Sequence, residues 1–411
     1  MTLSISLRQA LQALSRHKLR TFLTLLGMIF GVGAVIAMLS VGEGAQREAL
    51  TLIDRMGRRN VIVRARPQPE EKLPEVRKSS LGLSESDLSA ALDTLPFIEA
   101  AGVRKKLRTY ALFGEEGHSS AAVYGVSPSH AAMLGLSARR GRLLHPLDDR
   151  YGRQVCVVGE HAARELFGPR DPIGRAIKIN HLWFVVVGVY LSRGEEEKTF
   201  EGVAIEGVQH QIHVPIRTAL SSFRFKPMAE EIDEMQFRIS EKTPVSAAAA
   251  TIGRLLRTRH RGIDDFELIV PEALLAQHRR TQQIFNIVMG CIAGISLLVG
   301  GIGIMNIMLS NVLERTREIG IHRAVGARRK DIRRQFIIEA FVISAIGGLL
   351  GIVLGFALAV AITLYAGWPV AWSTEAILLA VGVCATVGLV FGIYPAEQAA
   401  KLDPIEALRH D

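Results

Sequence analysis

Four stretches of this 411-residue chain contain no charged residue. They lie between Arg20 and Glu43, between Arg280 and Glu314, between Glu339 and Glu375, and between Glu375 and Glu397. Each reaches the roughly 20 residues that a helix needs to cross a bilayer. Histidine is missing from them too, which argues against an ion-coupled carrier, because such proteins place ionisable groups at membrane depth. Cysteine is scarce. Cys156, Cys291 and Cys384 are the only three, two of them in apolar runs, so no disulfide framework and no CxxC metal pattern can be built. Aromatics make up 6%, and no basic–aromatic interleaving accompanies the net charge of +9, so nucleic acid is a poor candidate partner. No Gly–Lys dipeptide occurs, hence no P-loop, and GxSxG, HExxH and the Rossmann glycine fingerprint are absent. His210 and His213 are three apart, and on a strand they would face opposite sides, which does not suit a shared metal. Neither catalysis nor a metal or cofactor held by this chain is expected.

Hydrophobic residues make up 49% of the sequence. Spans are expected at 21–42, 281–313, 340–365 and 376–396, with Gly367–Trp368–Pro369 ending the third and a short outside loop at 366–375. A cleavable leader would also have basic residues before an apolar run, but this first run is long for one and no small-x-small site follows it. Arg8, Arg16, Lys18 and Arg20 precede the first gap, eight Arg and Lys fall within 314–339, and Lys401 and Arg409 follow the last gap. Only Arg47, Arg55, Arg58, Arg59, Arg279 and Arg280 lie near the other side. The positive-inside rule then makes the amphipathic segment 1–20, the loop 314–339 and the tail 397–411 cytoplasmic, with 43–280 outside. Small-residue pairs recur in every span at four-residue spacing: Gly27/Gly31, Gly290/Gly294, Gly347/Gly351/Gly355 and Gly388/Gly392. Such pairs let helix backbones approach closely, within one subunit or between two.

Helical periodicity continues beyond the first span through Ala45, Ala49, Leu52, Ile53 and Met56, and before the second span from about Pro271 through Leu274, Leu275, Gln282 and Phe285. Two stalk helices side by side are expected. Two strand–helix–strand units lie between them: 60–66, 84–95 and 98–108, then 234–240, 244–260 and 266–270. Ser84–Glu85–Ser86–Asp87 offers caps for the first helix, and Pro244 suits the start of the second. They predict an α/β sandwich, interrupted at about 119–218 by strands at 119–126, 154–158, 176–179, 184–189 and 211–214 and by a helix at 160–167. Residues 193–210, with Glu195–Glu196–Glu197, are expected to be a mobile loop. The expected fold class is therefore a four-span helical membrane bundle plus an α+β extracytoplasmic domain with a β-rich insertion.

The most specific run is Leu298–Val299–Gly300–Gly301–Ile302–Gly303–Ile304–Met305–Asn306–Ile307–Met308, leading into Glu314–Arg315–Thr316–Arg317–Glu318–Ile319–Gly320. Ala324–Val325–Gly326–Ala327–Arg328 and Gln335–Phe336–Ile337–Ile338–Glu339–Ala340 follow, with Asp403–Pro404–Ile405–Glu406–Ala407–Leu408–Arg409 near the end. Together they resemble the MacB/FtsX-type ABC transporter permeases. Asp171–Pro172–Ile173–Gly174 and Val186–Val187–Gly188–Val189 are similar to periplasmic-core motifs of that family. The resemblance implies a non-catalytic permease in the bacterial inner membrane, a dimer bound to two ABC ATPase subunits that carry the ATP and Mg. It places the ATPase-coupling helix at Glu314–Ala327. The chain departs from full-length MacB in having no N-terminal nucleotide-binding domain, so a separate ATPase chain is expected. The charge-free spans favour mechanotransmission, moving a drug, a peptide or a lipid-linked substrate, and the resemblance to MacB-like exporters implies a periplasmic adaptor and outer-membrane channel as candidate further partners. A lipoprotein-releasing permease, an FtsX-like regulator of a cell-wall hydrolase and a ligand sensor remain open alternatives.

Overall fold

The computed structural model describes residues 18–191, 198–205, 207–366, 370–371 and 374–409. Most of the amphipathic segment 1–20, the Glu195–Glu196–Glu197 run and the Gly367–Trp368–Pro369 helix end lie outside the described residues. The chain divides into two units, Met1–Glu48 with Arg279–Asp411, and Ala49–His278.

The elements run in order α1 (Lys18–Met56), β1 (Asn60–Ala65), α2 (Leu73–Ser79), α3 (Glu85–Thr94), β2 (Ile98–Leu107), β3 (Leu112–Phe113), β4 (Ala122–Val126), α4 (Pro128–Met133) and β5 (Ser137–Gly141). They continue through α5 (Pro146–Arg150), β6 (Val155–Gly159), α6 (Glu160–Phe167), β7 (Ala176–Ile179), β8 (Leu182–Leu191), β9 (Lys198–Phe200), β10 (Val203–Ile205) and β11 (Gln211–Pro215). After α7 (Ile216–Ser222), β12 (Glu234–Ile239), α8 (Val245–Arg259) and β13 (Phe266–Ile269) come α9 (Pro271–Glu314), α10 (Thr316–Ala324), α11 (Arg329–Ala366), α12 (Thr374–Lys401) and α13 (Pro404–Arg409).

Among the described residues, four helices are long and apolar enough to cross a membrane: Leu25–Met56 of α1, α9, Arg329–Tyr365 of α11, and α12. Helix α9 is unbroken over 44 residues, so the long charge-free gap is one helix that outruns the bilayer, roughly 66 Å at 1.5 Å per residue. A Cβ at Gly27 would stand 3.1 Å from the Gly300 backbone, so α1 and α9 meet there with little but main chain between them. Gly347, Gly351 and Gly355 face Met28, Val32 and Ile36 of α1, while Gly388 and Gly392 face Ser344 and Ala340 of α11. Gly31 faces Leu297. Gly290 and Gly294 differ from the other pairs. Among the described residues nothing lies within 4 Å of a Cβ built at either, so this pair packs against no described helix.

In the second unit, β1–α3–β2 and β12–α8–β13 form a split pair with strand order β13-β1-β12-β2, all neighbours antiparallel. Ser84 caps α3 in a capping box with Asp87, and Pro244 stands at the N-cap of α8. Val61, Val63, Val103, Met235 and Phe237 form one sheet face, buried with Ala91 of α3 and Ile252 of α8. The β-rich insertion is not a separate sheet. The second half of β2 pairs with β4 from Arg104↔Val126 to Leu107↔Val123, and the order continues β4-β11-β6-β8-β7-β3. One ten-residue strand thus serves both parts. The expected loop at 193–210 also differs: Lys198–Phe200 and Val203–Ile205 pair as an antiparallel hairpin. Phe200 is buried with Leu52, Ile53 and Met56 of α1 and Ile269, beside Leu274 and Leu275 of α9. This apolar anchor holds the hairpin against both stalk segments.

Candidate coupling site

Helix α9 ends at Glu314, and Arg315 forms the N-cap of the nine-residue α10. The Thr316 hydroxyl donates to the carbonyls of Val312 and Leu313, at 3.0 and 2.8 Å, ending one helix and starting the next. At the far end Gly326 takes φ +112°, a conformation that disfavours any Cβ. The Arg328 N–H then donates to the Asp331 carboxylate at 3.0 Å, which caps the start of α11. The loop is therefore two tight turns around one short helix.

Ile319 and Gly320 are the buried residues of α10. Ile319 joins Ile332, Phe336, Ala396 and Ala399 in the bundle core, with Ala327 partly buried against it. Arg315 turns inward, its Nη1 lying 3.4–3.5 Å from both oxygens of Glu339, a buried carboxylate on α11. Removing one partner of such a pair leaves a buried charge unmatched and costs about 3–5 kcal/mol. Arg323 donates to the Ala400 carbonyl at 3.4 Å and also to the Leu402 carbonyl, tying α10 to the end of α12. The amide of Ile405 donates to Asp403, and Ala407 of α13 is buried. Glu397 pairs on the surface with Lys401 at 3.0 Å.

The nine coupling residues read from sequence thus separate. Arg315, Ile319 and Gly320 point into the bundle, Thr316 and Ala327 are half-buried, and Glu314, Arg317, Glu318 and Gly326 are exposed. Sequence reading missed Arg323 and Glu339. The signal was a lone acid at the start of a long apolar run, which needs a cation facing it. It also missed the apolar character of the outer face, where Ile321 is 47% and Val325 86% exposed beside Arg317, Glu318 and His322. A face that mixes exposed aliphatic groups with both signs of charge is chemically suited to a protein partner.

Comparison with known proteins follows the same division. Residues 21–255 match the MacB-like periplasmic core domain, and residues 290–404 match the FtsX-like permease C-terminal family. The macrolide export ATP-binding/permease protein MacB of Bdellovibrio bacteriovorus is 33% identical over 98% of this chain, which spans 61% of that protein. The pyoverdine export ATP-binding/permease protein PvdT of Pseudomonas syringae pv. tomato is 36% identical over 95% of the chain and 57% of its own length. The ABC transporter permease YknZ of Bacillus subtilis is 33% identical, and the match covers 100% of both chains. The periplasmic region of MacB from Actinobacillus actinomycetemcomitans aligns with a TM-score of 0.44 and 20% identity, covering 56% of this chain and 98% of that one.

Proposed function

The chain belongs to the MacB/FtsX-type ABC transporter permeases, and we propose that it is a mechanotransmitting permease whose α10 takes the push of a separate ABC ATPase. In this reading ATP and Mg act on the ATPase subunits, two copies per assembly, and this chain performs no catalysis. The ATPase contacts Arg317, Glu318, Ile321, His322 and Val325. Behind that face, Ile319 in the core, the Arg315–Glu339 pair and the Arg323 bonds tie α10 to α11 and α12. A helix held so cannot move alone, and this backing carries the proposal. Movement passes on through α1 and α9, each a single unbroken helix of 39 and 44 residues. A second copy of the chain packs where Gly290 and Gly294 lie open, making a homodimer. The relatives named for macrolide and pyoverdine export favour export of a drug- or peptide-like molecule over regulation of a hydrolase, with an adaptor and outer-membrane channel as further partners.

The double variant Arg317→Glu with Glu318→Arg keeps the net charge and every buried contact of α10. Assembled with its ATPase in vesicles, it should still fold, while export falls at least about tenfold, the loss of about 1.4 kcal/mol of coupling. Unchanged export, with hydrolysis also unchanged, would remove α10 from the mechanism.

A further inference from the structure

On the sheet face away from α3 and α8, a cavity of about 340 Å³ opens where the split pair and the insertion share β2. Its charged wall is written into the register. Arg64 lies opposite Glu234, Glu234 opposite Arg104, and Lys106 opposite Tyr124. The two-residue alternation of β2 puts Arg104 and Lys106 on the same face. Ala65 and Pro67 add apolar wall. The volume is that of a small-molecule pocket.

Every carboxylate in the wall is already engaged. Glu234, buried, takes Arg64 Nε and Arg104 Nη2 at 3.0 Å each, and the Gln236 amide at 3.0 Å. Burial pushes its carboxyl up, but the Arg104 and Arg64 guanidiniums outweigh that and hold it below the usual range. Asp233 takes Lys105 Nζ at 2.5 Å and the Lys106 N–H at 2.8 Å, and Glu230 takes Arg77 at 2.5 Å. Glu267 reaches Arg64 only at 4.0 Å. The lining itself carries three cations, Arg64, Arg104 and Lys106, and three carboxylates, Glu230, Asp233 and Glu234, two of which are held by Arg77 and Lys105. Lys106, exposed and 5.8 Å over the Tyr124 ring, has no carboxylate partner among the described residues. Glu234 fixes the two guanidiniums, and guanidinium and ammonium groups on one concave wall match an oxyanion.

We propose that this cavity is a binding site for a small anion presenting a carboxylate or a phosphate. The site belongs to the second unit and does not depend on the coupling role of α10.

Equilibrium titration of the full chain in detergent with inorganic phosphate and, separately, succinate tests it. Saturable binding near the millimolar range is expected for at least one anion, and which one binds distinguishes a phosphoryl from a carboxylate ligand. Lys106→Glu should weaken that binding by about tenfold or more, and Lys106→Gln by less, while Lys242→Glu, the same charge change at another exposed lysine, should leave it intact. Thermal unfolding of each variant checks folding, and Lys106→Gln serves if charge reversal unfolds the chain. Absence of saturable binding of either anion up to about 20 mM, or equal affinity in the Lys106 and Lys242 variants, would overturn the site and leave a structural ion-pair cluster.

Discussion

Three buried histidines of the second unit carry opposite pH signatures. His260, at the C-cap of α8, has Nδ1 2.6 Å from Asp265 and Nε2 3.3 Å from Asp87, so both ring nitrogens donate. Burial alone would lower its pKa, but the bonds to Asp265 and Asp87 outweigh this and raise it to about 9. Its stabilisation is complete below the unfolded value near 6.5 and is lost as pH rises through about 9. His130 and His213 lie together on the other face of the sheet, ring centres 6.3 Å apart, with His213 stacked 5.0 Å from Tyr190. Burial, aided by neighbouring Arg104, lowers both to about 3. The fold holds them neutral, so stability is lost as pH falls below about 6.5. Each group contributes at most about 1.4 kcal/mol per pH unit. Thermal unfolding of the full chain between pH 5 and 10 should therefore peak near neutrality. His260→Gln should remove the alkaline decline, and His130→Gln with His213→Gln the acid one. Limbs unchanged by these substitutions would refute the assignment. The Ser84 cap was legible because its partner is three residues away. The Asp87–His260–Asp265 cluster was not, because only the folded sheet brings positions so far apart in sequence together.

At the scale of elements, glycine spacing is legible in sequence but glycine partners are not. All the small-residue pairs look alike along the chain, yet Gly388 and Gly290 occupy different surroundings. A Cβ at Gly388 would stand 2.1 Å from Ser344 Oγ, whereas one at Gly290 meets nothing among the described residues. Gly388→Leu should therefore prise α12 from α11 and lower thermal stability, by about 1–3 kcal/mol as overpacking does. Gly290→Leu should leave the unfolding transition in place and reduce cross-linking between copies, if that face carries the second protomer. Equal destabilisation by both would mean that Gly290 packs within its own chain. Most expected helices and strands lie within a residue or two of the observed ones, since their periodicity is local, but 119–126 begins three residues before β4, and β3, β5 and the short helices α2, α4, α5 and α7, too short to show a period, were not anticipated. The hairpin 198–205 was read as loop because its charges masked one decisive side chain, Phe200, whose burial depends on α1 and β13. The shared role of β2 was hidden for a related reason: ten alternating residues look the same with one partner strand or two.

For the whole molecule, sidedness was read from charge alone, through fourteen basic residues on one side of the apolar helices against six near them on the other. The coupling proposal requires that reading, because an ATP-hydrolysing partner reaches α10 only from the cytoplasm. Lys242 of the second unit and His322 of α10 are both exposed and should lie on opposite sides. Of the native cysteines, Cys156 and Cys384 are buried and Cys291 is exposed, so Cys291→Ser gives a quiet background for thiol labelling. In that background, a membrane-impermeant maleimide should label Lys242→Cys from outside, once any outer membrane is permeabilised. It should label His322→Cys only after the inner membrane is opened. Protection of position 242 together with outside labelling of position 322 would invert the orientation. The exposed face of α10 would then lie on the wrong side for an ATPase, and the proposal would fall, while the anion cavity, which needs no energy source, would stand.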